Sequence, residues 1–342
     1  MFEDITVLDV HSHLSVPQAA NALALAMMAS NTPLPSPLRQ GRSGHNFVAK
    51  VPPEDFQAAA EAHVAYIDER HIDVQLIGPR PFMMLGWMES HLIAPWTEYV
   101  NDMIHQQCKL YPDRFIGACQ LPQRWDAKDL SHCLAELNHC VEEYSFGAAY
   151  VSPDPSGHRR TPGMHEPYWY PLYERCEELD LPVVVHGTTS LDERLRLIPH
   201  NYQLGFVSEQ YYATQILGHS DVFDRFPQLR VIVCHLGGAL NRFIPTDFHL
   251  PQRDLSRNLF FDSCGYDLNF LEAGIRQRGV DQVCFGAEAP GSGGAIRPET
   301  GRPCDDLVPV IGEQFEWLSR EDRQKIFYDN PLRVCPAFAG RP

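Results

Sequence analysis

The sequence predicts an α/β protein, a (β/α)₈ TIM barrel with long insertions after strands 1 and 8, and three observations predict it. Eight short apolar runs recur along the 342 residues. Longer amphipathic stretches separate them, with apolar positions three and four apart. The polar residues capable of chemistry follow the runs directly, as they do on the catalytic face of a closed parallel barrel.

In chain order, Thr6–Val10 reads as the first strand, because Val7-Leu8-Asp9-Val10 is a short apolar run that leads straight into His11. Residues 15–51, rich in Ala, Met, Pro and Ser, fit no strand or barrel helix and form the first insertion. A helix over Pro53–Arg70 leads to strand Val74–Ile77, and one over Pro95–Tyr111 leads to strand Phe115–Leu121. Helix Asp129–Tyr144 precedes strand Ala148–Val151, and helix Trp169–Leu179 precedes strand Pro182–Val185. Ser208–Asp224 is the helix before strand Arg230–Cys234. Strand Leu259–Phe261, helix Asp267–Arg278 and strand Gln282–Phe285 complete the eight, and Ala289–Pro309 is the second insertion. An open doubly wound sheet gives the same alternation, but no glycine-rich dinucleotide fingerprint follows the first strand. Residues 1–342 are therefore expected to form a single barrel domain.

Composition narrows the function classes. Hydrophobic residues make up 44% of the chain, yet no apolar run approaches the ~20 residues that span a membrane. The first ten residues lack the basic and long apolar regions of a signal peptide, so a cytoplasmic enzyme is expected. Ten cysteines are dispersed without a CxxC pair and read as reduced thiols. The net charge of −16 would repel nucleic acid. A small anionic substrate is compatible with it, since a few arginines reverse the sign locally. The homo-oligomeric state is left open.

Nine residues stand at the strand ends or just after them: His11 and His13, Arg80, Gln120, Asp154, His186, His235, Asp262 and Glu288. Alternate residues of a strand face one way, so the imidazoles of His11 and His13 reach one point at the barrel mouth. Closure brings the eighth strand beside the first, which adds Glu288; His186 comes from the fifth. Three neutral imidazoles and a carboxylate suit one divalent metal ion, zinc first, with manganese or iron also compatible. His235 is assigned proton transfer beside the metal, and Gly237 and Gly238 after it would let a ligand approach the backbone. Arg80 is the candidate grip for a substrate carboxylate. Asp154 and Asp262 are candidates for orienting histidines, and Cys264 is a candidate reactive thiol.

The segments Leu8-Asp9-Val10-His11-Ser12-His13, Val185-His186, Cys234-His235-Leu236-Gly237-Gly238, Phe285-Gly286-Ala287-Glu288 and the terminal Ile326–Val334 motif resemble the amidohydrolase superfamily. The resemblance is to its aminocarboxymuconate-semialdehyde decarboxylase-like branch and covers nearly the whole chain. Decarboxylases of that branch carry Asp after the eighth strand, whereas Glu288 stands here. This is similar to the subgroup of 4-oxalomesaconate hydratase and the metal-dependent C–C hydrolases. The hydratase pattern implies an arginine near Gly294, and the nearest here is Arg297. The implied activity is hydrolysis of a C–C bond beside a ketone in an anionic aromatic-catabolism intermediate, with Glu288 or His235 moving protons. Hydratase or decarboxylase chemistry in the same site is the alternative. A noncatalytic barrel that binds a metabolite through its insertions is the contrasting reading.

Overall fold

The computed structural model describes residues 1–30, 51–195, 198, 201–242 and 253–341. Eight parallel strands run in sequence order: β1 (Leu8–His13), β2 (Val74–Gly78), β3 (Phe115–Gln120), β4 (Ala148–Val151), β5 (Val183–Val185), β6 (Val231–Val233), β7 (Leu259–Asp262) and β8 (Val283–Cys284). Two backbone hydrogen bonds join β8 and its following turn to β1, from Val10 N to Phe285 O (3.0 Å) and from Glu288 N to His11 O (2.8 Å). The sheet is thus nearly closed, as a (β/α)₈ TIM barrel.

Strand periodicity sorts the side chains into two layers. Leu8, Val10, Val74, Leu76, Ile116, Ala118, Ala148, Tyr150, Val184, Ile232, Phe260 and Cys284 fill the barrel interior together with the C-terminal residues Val334, Cys335 and Phe338. The alternate residues, Val7, Ile77, Phe115, Cys119, Val183, Val231 and Val283 among them, pack against the helices. The main barrel helices in the first part of the chain are α2 (Pro53–Asp68), α3 (Ser90–Leu110), α4 (Leu134–Tyr144), α5 (Tyr170–Glu178) and α6 (Asn201–His219). A helix α1 (Gln18–Ser30) opens the first insertion, whose residues 31–50 lie outside those described.

Three expectations shift. α3 starts at Ser90, five residues before Pro95, which the helix carries inside its first turns. α6 begins at Asn201 and ends at His219, with Val222–Arg225 a separate turn. β1 runs on through His13 and contains a bulge between Asp9 and Ser12, where Leu8 pairs with Val74 but Ser12 pairs with Ile77. The extra residue reverses the phase of the strand. Simple alternation from Leu8 and Val10 would direct Ser12 inward, whereas the bulge turns His11 and His13 into the barrel mouth.

All ten cysteines are free thiols, eight of them buried. Among the described residues no helix is long and apolar enough to cross a membrane.

Candidate metal centre at the barrel mouth

Four imidazoles converge at the carboxyl ends of the strands. Ring centroids lie 5.2 Å apart for His11 and His13, 5.1 Å for His11 and His186, 4.9 Å for His11 and His235, and 5.1 Å for His186 and His235. All are buried, and hydrogen bonds at one ring nitrogen leave the other directed elsewhere. His13 Nδ1 meets the Pro79 carbonyl at 2.8 Å and His186 Nδ1 meets the Gly187 carbonyl at 2.7 Å. A carbonyl only accepts, so both Nδ1 atoms carry the proton and both Nε2 atoms present lone pairs. Nε2 of His11, His13 and His186 has no hydrogen-bond partner. Buried nitrogens in that condition match a cation's requirement for neutral imidazole donors. Ligand atoms of His11, His186 and His235 all lie within 4.8 Å of one another.

The carboxylates complete the electrostatics. His11 Nδ1 lies 2.8 Å from Asp262 Oδ2, while Asp262 Oδ1 accepts the backbone N–H groups of His235 and Cys264, each at 2.8 Å. Glu288 Oε1 is 3.4 Å from His13 Nε2, and Oε2 is 3.5 Å from His235 Nε2. Oε2 also accepts from the Tyr266 hydroxyl at 2.8 Å and from Ser292 Oγ at 3.3 Å. Burial alone would raise the Glu288 carboxyl, but the neighbouring imidazoles of His13 and His235 outweigh it and hold the group well below the usual range. Burial pushes His13 down to about 4 and His186 well below an ordinary imidazole. Burial also works to lower His11, and Asp262 reverses it, so that His11 is raised.

Three residues of the site have strained backbone. His235, Leu236 and Glu288 are non-glycine residues in the left-handed region, at φ 54°, 54° and 53°. Gly237 and Gly238 continue the same path at φ 78° and 81°. Their expected use, close approach of a ligand, is corrected. A Cβ on Gly238 would lie 2.1 Å from the Val207 carbonyl, and one on Gly237 would lie 2.6 Å from Thr214 Oγ1. It is α6 that comes against these glycines. The same helix supplies Gln210, whose amide lies 3.1 Å from His235 Nδ1.

The other expected residues divide. Arg80 leaves β2 beside His13; its charge helps depress both His13 and His63, and its Nε donates to the Leu14 carbonyl at 3.1 Å. Cys264 is buried with its Sγ 3.8 Å from Glu288 Oε2, and burial raises its thiol well above the ordinary value, the opposite of a reactive thiolate. Asp154 orients no histidine of the cluster. Its oxygens accept from Ser156 Oγ, Thr161 Oγ1 and the Arg159 backbone, which shapes the loop after β4. Gln120 donates to the Met83 carbonyl at 3.3 Å. Arg297 donates to the carbonyls of Tyr266 and Cys304 and anchors the second insertion. Sequence reasoning missed Tyr266, which stands four residues beyond the Asp262 it did select.

Comparison with known proteins identifies the family. Residues 8–336 match the amidohydrolase family model. The 2-keto-4-carboxy-3-hexenedioate hydratase of Sphingobium sp. (strain NBRC 103272 / SYK-6) is 31% identical over 301 residues, covering 84% of this chain and 85% of the relative. The 2-amino-3-carboxymuconate-6-semialdehyde decarboxylase of Dictyostelium discoideum is 22% identical over 288 residues, 80% of this chain and 75% of the relative. The crystal structure of 4-oxalomesaconate hydratase from Rhodopseudomonas palustris superposes with a TM-score of 0.78 at 27% identity, covering 97% of this chain and 96% of that one. A dihydroxybenzoic acid decarboxylase from Polaromonas sp. JS666 with bound manganese has the same fold, at a TM-score of 0.64 and 19% identity over 96% of each chain. With the match running from the first residue of β1 to beyond the last strand, the chain belongs to the amidohydrolase family and is an enzyme of that superfamily.

Proposed function

We propose that this enzyme is a metal-dependent hydratase that adds water across a carbon–carbon double bond conjugated to a carbonyl, in an anionic intermediate of aromatic breakdown. The observation that carries the reading is Glu288: a carboxylate kept ionised between two imidazoles and a tyrosine hydroxyl, at the position where the branch's decarboxylases carry Asp. Two hydratases among the relatives support it. Hydrolysis of a C–C bond, the expectation from sequence, draws no such support from these hydratase and decarboxylase relatives.

His11, His13, His186 and Glu288 would hold one divalent ion, and imidazole-rich donors favour zinc, although a related decarboxylase holds manganese. When bound, the ion supplies Lewis acidity toward substrate oxygens. The chain's own groups do the rest. Glu288 accepts the proton that water loses as its oxygen bonds to the β-carbon, and the α-carbon receives a proton from His235, which lies beside Glu288 Oε2. Tyr266 donates to that same oxygen and keeps it oriented. Arg80 holds a substrate carboxylate, so Arg80→Ala should raise KM more than it lowers kcat. Single-barrel organisation over 1–342, with the insertion after β1 belonging to the same unit, is part of this proposal.

The deciding experiment is mass spectrometry of products from unsaturated keto-dicarboxylates in ¹⁸O-labelled water. One product heavier by a single labelled water supports the hydratase; two fragments would establish the hydrolase, and carbon dioxide the decarboxylase.

A further inference from the structure

Behind the barrel wall, in the layer between strands and helices, lies a buried polar circuit that the chemistry above does not use. Gln75 on β2 is fully buried, and its amide donates to Asp9 Oδ2 and to the Ala289 carbonyl, each at 2.8 Å. Its Oε1 lies 2.8 Å from His63 Nε2. The network fixes the orientation of the amide: the Ala289 carbonyl can only accept, so nitrogen faces it and Asp9 Oδ2, and oxygen faces a donating Nε2–H of His63. His63 Nδ1 then accepts from Ser15 Oγ at 2.9 Å and from Gln107 Nε2 at 2.7 Å, while Gln107 Oε1 accepts from Ser15 N at 2.8 Å. Burial pushes His63 down to about 3, so it stays neutral with this tautomer near neutral pH.

The circuit ends on the metal centre from two sides. Asp9 Oδ1 accepts from His11 N at 2.9 Å and from Ala287 N at 3.3 Å. The Ala289 carbonyl accepts from Gln75 and, at 3.0 Å, from Ser12 Oγ. The neighbours of Glu288 on both sides are therefore clamped, and Glu288 itself sits between them in a left-handed conformation that a side-chain-bearing residue adopts only under strain.

We propose that Gln75 is a positioning residue of the metal centre, joining Asp9 of β1 to the Ala289 carbonyl so that His11 and Glu288 are presented together, with His63 fixing the orientation of Gln75. The proposal rests on the metal-site reading above. It differs from a purely structural role, in which a buried glutamine merely satisfies backbone groups, by predicting altered metal binding in a folded protein. Removal of groups that orient ligands typically costs 10–100-fold in metal affinity or activity.

The test uses the full chain stripped with chelator and reloaded with Zn(II) or Co(II) alone. Gln75→Met keeps the length without the donors. Gln75→Glu keeps the acceptor toward His63 but carries at most one proton, so one of the two donor bonds fails; it serves if the Met variant does not fold. Asn330→Ala is the control, since Asn330 donates to the Val280 and Val283 carbonyls (2.7 and 2.8 Å) and its loss should lower stability without altering the metal site. The expected result is Zn(II) affinity at least about tenfold weaker and a changed Co(II) visible spectrum in the Gln75 variants, with both unchanged in the control. Gln75 variants that bind Zn(II) within about twofold of the parent and share its Co(II) spectrum would overturn this proposal alone. A parent chain that binds neither ion overturns the metal reading and this proposal with it.

Discussion

At the scale of single residues, the centre depends on which atoms are left without protein partners. The Pro79 and Gly187 carbonyls accept hydrogen bonds from Nδ1–H of His13 and His186, so the Nε2 lone pairs of both are left without a hydrogen-bond donor. The proposed mechanism gives Glu288 two tasks, ligand and base, that substitution separates. Glu288→Gln keeps the shape and a coordinating oxygen but is not a base, and general acid–base groups contribute ~10²–10⁴-fold; we expect at least about a hundredfold loss of kcat in samples whose metal content equals the parent's. A metal-replete Gln variant with near-parental turnover would move the proton-transfer task to His235. Tyr266→Phe removes one donor to the same oxygen, and a smaller loss of roughly tenfold is expected, within the range seen when a ligand's hydrogen-bond partner is removed. Unchanged kcat and metal affinity would assign Tyr266 to loop packing. His11 and His186 follow directly on apolar runs, and His13 and Glu288 stand within three residues of one, which is how the sequence offers the four together as candidates. Tyr266 was not, because it lies in the loop beyond β7 and meets Glu288 across 22 residues of chain.

At the scale of elements, the strands were legible to within about two residues at most ends, since two buried faces write continuous apolar runs. The bulge in β1 was not, because inserting one residue leaves the hydrophobic pattern intact while reversing its phase. Nor was the role of Asp154, whose partners are hydroxyls and a backbone N–H a few residues on, a local pattern that any exposed loop can share. The second insertion is fastened to α2 and the turn after it by a buried pair, Arg70 Nε to Asp305 Oδ1 at 2.8 Å, with Tyr66 OH of α2 on Oδ2 at 2.7 Å. Arg70 also lies over the Tyr66 ring, 3.4 Å from its centroid. Removing one member of a buried pair leaves an unpaired charge, at about 3–5 kcal/mol. Asp305→Ala should therefore lower Tm by several degrees and increase proteolysis within residues 289–309. A Tm within a degree of the parent would show that the insertion is held by its other contacts.

At the scale of the whole molecule, the chelator-treated protein should lose stability as pH falls from 6.5, and the sign follows from which state binds more protons. His63, His13 and His186 are fully buried with pKa values depressed to about 3, to about 4 and well below normal, all by burial first. Unfolded, each titrates near 6.5. Between about pH 4 and 6.5 the unfolded chain thus binds up to three more protons than the folded one, and stability rises with pH across that window. Asp9 works the other way. Burial raises its carboxyl to about 7, against 3.8 in an ordinary aspartate, so over much of the same window the folded state binds one proton more. The balance is about two protons, and at 1.36 kcal/mol per proton per pH unit the slope near pH 5 should approach roughly 2–3 kcal/mol per unit. On the proposed ligand set, bound metal would require the imidazoles of His13 and His186 to be neutral, so a saturating ion should stabilise the folded state and steepen this loss as protons compete. Urea unfolding in chelator at pH 7.5, 6 and 5 measures the slope directly. Stability that stays flat or increases toward pH 5 would mean that the buried imidazoles are charged in the folded protein, and would remove the basis for treating them as neutral metal donors.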